Sequence, residues 1–374
     1  MTKISECRVV LLVGCIVFCV VPGCVGPEQV SDSRKLISYQ PLLSPQLLES
    51  ANLKVLWETM LPMKRGESLQ NLYILGSRIY ALSDRNYIVS LSREKGSVIF
   101  SGPLAEPGLP VLGLGLYDKQ LFSMAGGRLV EINPDSGAER SSTQLGFRPT
   151  IPVACNSSYF YLGATDRRIH VLRSQDKVQL FEVAAENDSA ITSILAGQDF
   201  VAFATDEGNL IKITPDKPVK LWQFDAAGGI TAPIAGDENA LFIASKDTNV
   251  YRINLLTGKP DWKYQAQARL EQGPKVTKGT VYQYVRDKGL SAIDKESGQA
   301  VWQLEGGADL LAESAGKAYV ITKSSELVVM DNKKAKRLYS ADFAAVEKYA
   351  ANVVDSKIYI ADASGRIACL KPIE

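Results

Sequence analysis

Residues 292–302 read AIDKESGQAVW, and this stretch decides the fold because shortened copies of it recur along the chain. Ile253-Asn254 is followed by Thr257-Gly258 and Trp262 at the same spacing, and Ile132-Asn133 is followed by Ser136-Gly137. Each copy joins an apolar strand residue to a polar turn that ends in glycine. Self-similarity at a fixed period indicates a repeat architecture.

Two further series of residues give the period. An apolar position recurs every 37–41 residues, at Leu91, Ile132, Leu172, Ile213, Ile253, Ile293, Met330 and Leu370. A second, mostly aromatic series precedes it at Tyr80, Phe122, Tyr161, Val201, Phe242, Tyr282, Tyr319 and Tyr359. A period near 40 with several short strands is typical of a propeller blade. The sequence therefore predicts an all-β fold, an eight-bladed β-propeller of four-stranded blades.

The two ends of the repeated region predict how the ring closes. The last unit stops after its third strand, and residues 54–58 look like an outer strand with no blade before them. Pairing this N-terminal strand in the last blade would remove two exposed sheet edges. The propeller is accordingly assigned to residues 54–374.

Aromatic residues and aspartates at the blade period are interpreted as structural. The Trp position of the repeat is filled by Trp57, Phe100, Phe181, Trp222, Trp262, Trp302 and Tyr339, which we expect to pack between adjacent blades. Turn aspartates recur at Asp84, Asp166, Asp206, Asp247, Asp287 and Asp362. Aspartate bonds its own backbone in turns, so the recurrence favours a turn role over catalysis or metal binding.

The N-terminus has the pattern of a secretory signal. Lys3 and Arg8 precede a 13-residue apolar run at 9–21, which is too short to span a bilayer. The run ends in Val21-Pro22-Gly23-Cys24, which resembles a bacterial lipobox with Cys24 as the lipidated thiol. Cys15, after Leu12-Val13-Gly14, is the alternative lipid site, and a signal cut without lipidation is a further one.

These signals divide the N-terminal region and predict its location. Residues 1–23 are the predicted lipoprotein signal peptide, and the Pro- and Ser-containing residues 24–53 are a predicted tether. Val25, in place of Asp after Cys24, argues against retention in the inner membrane. We therefore expect a lipid-anchored protein of the outer membrane that faces the periplasm.

The sequence offers no recognisable catalytic, metal-binding or cofactor-binding residues. His170 is the only histidine, and Cys155 and Cys369 are the only cysteines after residue 24, so no triad or Cys/His cluster is indicated. Phosphate-binding glycine motifs are absent. Residues 1–23 carry one net positive charge, which leaves the rest of the chain neutral and without a footprint for nucleic acid.

The repeat resembles the tryptophan-docking motif of quinoprotein-type propellers, over about residues 54–371. Blade number and lipobox together look more like the BamB-like outer-membrane assembly lipoproteins. That resemblance implies the β-barrel insertion machinery as partner. The family's Leu- and Arg-containing loop and its acidic loop correspond to residues 182–196 and 223–233, which lack that pattern. Partner-binding residues are therefore not transferred.

Three functions follow as hypotheses. The first is a non-enzymatic scaffold that assists the insertion of outer-membrane β-barrel proteins. The second is an envelope binding or sensing propeller with another ligand, and the third is a PQQ-dependent dehydrogenase. The quinoprotein enzymes hold calcium, and many carry a Cys-Cys pair that this sequence lacks. The interblade loops at 101–110 and 341–351 are the expected recognition elements.

Overall fold

The computed structural model describes residues 41–117 and 119–373. The predicted signal peptide, Cys24 and the tether as far as residue 40 lie outside the described residues. Within the described part of the chain, no helix is long and apolar enough to cross a membrane.

The described chain consists almost entirely of short strands. The first elements are α1 (Pro45–Ser50), β1 (Leu53–Met60), β2 (Leu69–Leu75), β3 (Arg78–Ser83), β4 (Tyr87–Ser92), β5 (Val98–Pro103), β6 (Val111–Tyr117), β7 (Gln120–Ala125), β8 (Arg128–Ile132), β9 (Glu139–Gln144), β10 (Ala154–Cys155), β11 (Tyr159–Gly163), β12 (Arg168–Arg173) and β13 (Gln179–Ala184). A 3-10 turn at Glu186–Asp188 follows, then β14 (Ile191–Ala196), β15 (Val201–Thr205), β16 (Asn209–Ile213), β17 (Lys220–Asp225), β18 (Ala235–Gly236), β19 (Ala240–Ala244), β20 (Asn249–Asn254) and β21 (Pro260–Gln265). The last elements are β22 (Lys275–Val276), β23 (Thr280–Val285), β24 (Gly289–Asp294), β25 (Ala300–Leu304), β26 (Gly307–Ser314), β27 (Lys317–Thr322), β28 (Glu326–Asp331), β29 (Lys336–Asp342), β30 (Lys348–Ala350), β31 (Ile358–Ala361) and β32 (Arg366–Pro372).

These strands form eight antiparallel four-stranded sheets, which confirms the predicted eight-bladed β-propeller. Blade 1 is β2–β5, and each later blade takes the next four strands as far as blade 7, β26–β29. The first strand of a blade is innermost and the fourth is outermost. Hydrophobic clusters fill the spaces between neighbouring blades, including the space between blades 8 and 1.

Blade 8 is completed by the N-terminal strand, as the sequence predicted. It has the order β1-β32-β31-β30, so strands from both ends of the chain share one sheet. Leu53 pairs with Pro372 and Met60 with Arg366, with a register shift between Val55 and Trp57. The ring is therefore closed by backbone hydrogen bonds between the two ends.

The segment before β1 packs on the propeller from Pro41 onward, so the predicted tether ends earlier than residue 53. Leu42, Leu43 and Leu48 are buried in the cluster shared by blades 7 and 8. Ser44 caps α1 by accepting a hydrogen bond from the Leu47 amide at 3.3 Å. The Pro- and Ser-containing composition of this segment predicts a tether, whereas the burial of its leucines makes the segment part of the folded body.

The residue series follow the strand register, with one exception. Leu91, Ile132, Leu172, Ile213, Ile253, Ile293, Met330 and Leu370 lie on third strands at equivalent positions. In blade 4 the residue equivalent to Phe242 and Tyr282 is Ala202, since Val201 pairs directly with Ile213. The assignment of Val201 to the second series was wrong by one residue, because an alanine gives no aromatic signal.

Each tryptophan of the repeat, on the outer strand of its blade, contacts the following blade. A Cβ added to Gly258 would lie 2.6 Å from the Trp222 ring, and one added to Gly298 would lie 2.6 Å from the Trp262 ring. The indole N–H of Trp222 donates to the Leu255 carbonyl at 3.0 Å. Trp57 packs on Gly96 in the same way across the closure. The indole thus joins adjacent blades by a stacked ring and a hydrogen bond.

The last tryptophan of the set, Trp302, contacts blade 7 by a hydrogen bond to a side chain, whereas Trp222 bonds to a backbone carbonyl. Its indole N–H donates to the Asn332 Oδ1 at 2.7 Å, and the Asn332 amide donates to the Tyr282 hydroxyl at 2.7 Å. The Tyr282 hydroxyl in turn donates to Glu313 at 2.7 Å. This chain of bonds ties the outer rim of the ring to the inner strand β26.

At the junction of blades 2 and 3, an ion pair takes the place of the aromatic contact. Ser141 occupies the Trp position of blade 2, as its pairing with Glu131 shows. Lys177 occupies the glycine position of blade 3 with a φ of 60°. Its ammonium lies 2.6 Å from Glu131, which also accepts a bond from Ser141 at 2.6 Å. The small Ser141 leaves room for the lysine.

Candidate docking surface on the interblade face

The propeller has two faces that differ in the turns they carry. The connections between blades and the turns between second and third strands lie on one face, called here the interblade face. The remaining hairpins lie on the other, called the hairpin face. Asp84 accepts bonds from the Ser68 amide at 3.1 Å and hydroxyl at 2.8 Å, and Asp206 accepts one from the Ala190 amide at 2.8 Å. These turn aspartates fix the interblade connections.

A continuous groove crosses the interblade face over blades 2 to 4. It consists of a depression of about 560 Å³ and a second of about 470 Å³, and both are lined by Thr150 and Thr165. The first depression is mainly apolar, with Leu109, Leu112 and Met124 in its lining. Pockets of this volume accommodate ligand-sized groups or side chains of a partner.

The second depression is less apolar than the first, and hydroxyl groups form part of its lining. Ile151 and Ile191 contribute apolar surface, and Thr192 and Thr231 contribute hydroxyls. Arg148 lines the first depression, and Arg167 lines the second. The groove therefore presents apolar and threonine side chains with a guanidinium at each depression.

A rigid cluster supports the groove from blade 3. His170 is buried and stacks on Phe147, with ring centroids 3.6 Å apart and planes inclined by 7°. Its Nε2 lies 2.9 Å from the Asp166 carboxylate. Arg168 donates to Glu182 at 2.8 Å, and this bond lowers the pKa of the Glu182 carboxyl. His170 is thus a strand residue held in place by Phe147 and Asp166.

The two segments that correspond to the family's partner loops lie side by side. Residues 182–196 and 223–233 each include strand ends, so the connections themselves are residues 185–190 and 226–234. The Thr192 hydroxyl donates to the Ile230 carbonyl at 2.5 Å, which joins the two segments. A cleft of about 330 Å³ between Asp188 and Glu207 adjoins them, and Arg167 contacts Asp188 at 3.3 Å.

Sequence reasoning identified part of this surface. The loop at 101–110 was expected to take part in recognition, and its Leu109 and Pro110 line the groove. The loop at 341–351 instead buries Phe343 and Val346 in the blade 7–8 core. Met124 has no distinguishing pattern in the sequence because it is an ordinary strand residue, and the pairing of β6 with β7 brings it beside the 101–110 loop.

Neither of the two cysteines among the described residues is an activated thiol. Burial raises the pKa of both the Cys155 and the Cys369 thiols to about 11, so both are protonated at neutral pH. Cys369 is buried and Cys155 is half-buried, and both are free thiols. In the described part of the chain, no group of three His, Cys, Asp or Glu residues is placed to hold a metal ion.

Part of the amino-acid sequence matches proteins of a described family. Residues 206–374 match the family model described as "Outer membrane protein assembly factor BamB". A protein of that name from Nitrosomonas eutropha is 26% identical over 142 residues, which is 36% of this chain and 34% of that protein. The matched region thus spans about a third of the relative's length.

Solved structures agree on the fold. BamB from Moraxella catarrhalis superposes with a TM-score of 0.67 at 14% identity, covering 85% of this chain and 97% of that one. The computationally designed Ika8 protein gives 0.65 at 16% identity, covering 83% and 98%. At these identities the likeness concerns the fold alone. The predicted resemblance to BamB-like proteins is confirmed by the sequence matches and the fold together.

Proposed function

We propose that this protein is a non-enzymatic, lipid-anchored scaffold that assists the assembly of outer-membrane β-barrel proteins from the periplasmic side. The observation that carries the proposal is the match of residues 206–374 to the BamB assembly-factor family. The proposed lipid anchor is Cys24, and the proposed partner is the barrel insertion machinery. A propeller built by design has the same fold, so the fold by itself does not argue for this role.

The groove over blades 2 to 4 is the proposed docking surface. Its apolar lining suits an extended segment or a loop of a partner, since apolar contacts supply affinity and the threonine hydroxyls and guanidinium groups supply orientation. Leu109 is 39% exposed at its edge, so a partner would find this side chain accessible.

The scaffold role and the dehydrogenase alternative make different demands on the chain. A dehydrogenase of the quinoprotein type must retain its quinone with calcium. Purified full chain incubated with PQQ and calcium should retain no quinone after gel filtration. Stoichiometric retention would favour the enzyme over the scaffold.

The direct test replaces the native gene by variants. Deletion should lower the amounts of several barrel proteins in the outer membrane and sensitise the cells to large hydrophobic antibiotics. Wild type should restore both, whereas Leu109→Glu should restore neither because it places a charge in the groove. Leu256→Glu is the matched control, since Leu256 is 83% exposed in a turn of the hairpin face. Unchanged barrel-protein levels in the deletion strain would reject the assembly role.

A further inference from the structure

A second surface of the interblade face, over blades 6 and 7, carries an unusual concentration of positive charge. A cleft of about 400 Å³ is lined by Arg269, Glu271, Gln272, Tyr284 and Arg286. It lies in blade 6, away from the groove over blades 2 to 4, and nothing in the proposed scaffold role uses it.

The positive charge arises at a recurrent turn position. In seven blades the turn between second and third strands closes with a bond from residue i+3 to the carbonyl of residue i, where i is Ser83, Ala164, Thr205, Ser245, Val285, Thr322 or Asp362. The next residue, i+1, is Asp84 in blade 1 and Asp206 in blade 4, and each caps the neighbouring connection. The same position is basic in three consecutive blades, with Lys246, Arg286 and Lys323. The repeat thus presents an arc of cations.

The cleft side chains are arranged with an excess of cations. Arg286 pairs with Glu271, and Arg269 has no carboxylate within ion-pair distance among the described residues. The Lys323 ammonium lies 5.4 Å from the centre of the Tyr284 ring, and a hydrogen bond to Tyr284 raises the pKa of Lys323. The ammonium therefore stays charged at any physiological pH.

The floor of the cleft is ordered by a buried amide. Gln283 is fully buried, and its Nε2 donates to the carbonyls of Gln272 and Tyr284, each at 2.9 Å. These bonds fix the wall residue Gln272 against the strand that carries Tyr284. The cations consequently project from a backbone that is already in place, which lowers the ordering cost of binding.

We propose that this cleft is a binding site for a phosphate-bearing anion. Two arginines whose planar guanidinium groups border one cleft match the paired oxygens of a phosphate, and the neighbouring Lys323 adds a point charge. Tyr284 supplies a hydroxyl and a ring face for the rest of the ligand. The phosphate could belong to a phospholipid headgroup or be free in solution. The site stands on these residues alone and does not depend on the assembly role.

The test measures binding to the purified full chain in a non-ionic detergent. The probes are inorganic phosphate and dihexanoylphosphatidylglycerol, with zwitterionic dihexanoylphosphatidylcholine for comparison, and the readout is the saturable broadening of their ³¹P signals. The Arg269→Gln/Arg286→Gln variant should bind the anionic probes about tenfold more weakly. The control Arg65→Gln/Arg140→Gln removes the same charge from exposed positions elsewhere and should bind like wild type.

Each outcome decides the proposal. Saturable binding of either anionic probe that the cleft variant weakens and the control variant retains supports it. Binding of phosphate without the lipid identifies a free anion, and preference for the lipid identifies a headgroup. Absence of binding to both anionic probes, or equal weakening in both variants, overturns it. Binding of an acidic peptide such as polyglutamate in the absence of phosphate binding overturns it as well, because it assigns the surface to a protein.

Discussion

Substituting Gly258 by Ala tests whether the tryptophan contacts hold the blades together. Gly258 has a φ of +71° and faces the Trp222 ring, where an added Cβ would meet ring carbons at 2.6, 2.7 and 2.9 Å. Gly306 is the matched control, since its φ is +74° and a Cβ there would meet nothing within 4 Å. The two substitutions add the same methyl group in the same backbone region and differ only in the ring.

The expected magnitudes follow from this difference. Placing Ala in the left-handed region costs about 1–2 kcal/mol of unfolding free energy at either site. At Gly258 the methyl group also displaces the indole, and overpacking of this kind costs about 1–3 kcal/mol more. With about 2–4 °C of Tm per kcal/mol for a large domain, Gly258→Ala should melt about 2–12 °C below Gly306→Ala.

Thermal unfolding followed by circular dichroism measures the difference. A Trp222→Ala background supplies the second comparison, because Gly258→Ala should there cost no more than Gly306→Ala. Equal melting temperatures of the two glycine variants in the wild-type background would refute the view that the indole-on-glycine contact joins the blades.

Further substitutions probe the closure, the ion pair, the acid limit and the anchor. Truncation through Met60 removes β1 and the buried Trp57, which should cost at least about 3–5 kcal/mol, and a truncated chain that melts like wild type would contradict ring closure. Lys177→Met should destabilise the protein by about 3–5 kcal/mol because it leaves the buried Glu131 carboxylate without its charged partner, whereas an unchanged urea midpoint would show that the pair is dispensable. Burial works to raise the pKa of Asp237, but bonds from Lys295 and two backbone amides outweigh it and lower that pKa. The carboxylate therefore stabilises the fold above its unfolded pKa of about 4, and the gap in Tm between wild type and Asp237→Asn should be present at pH 7 and close as the pH falls below about 4. Cys24→Ser should leave a protein that is soluble in the periplasm or uncleaved, and a processed variant that still partitions with membranes would assign the lipid to another residue.

The fold was predictable because every blade repeats the same local chemistry. Positions such as Ile293 and Trp302 recur at one period, and eight copies make the signal independent of any single residue. Where a blade departs from the repeat, the prediction failed. Ala202 carries no aromatic signal. At the junction of blades 2 and 3, Ser141 and Lys177 stand in the Trp and Gly positions, and Lys177 pairs with Glu131 of the preceding blade.

The candidate sites were much less predictable, since each combines residues from separate loops and strands. The groove brings Leu109 of one connection beside Thr150 of the next, about 40 residues later in the chain. The basic cleft depends on Arg269 and Arg286, which lie on separate loops. The groove arises from the packing of neighbouring blades and the cleft from two loops of blade 6, and a lone exposed leucine or arginine in sequence has no distinguishing pattern. The segment at 41–52 was misassigned for a similar reason, because its leucines find their core only in blades 7 and 8.

Affinity purification of the full chain from detergent-solubilised membranes tests the central claim most directly. Wild type, Leu109→Glu and Leu256→Glu should be compared by quantitative mass spectrometry of the co-purifying proteins. The scaffold proposal predicts that the β-barrel insertion machinery is enriched with wild type and with Leu256→Glu and is lost with Leu109→Glu. Failure of wild type to enrich that machinery, in membranes where it is abundant, would contradict the proposal.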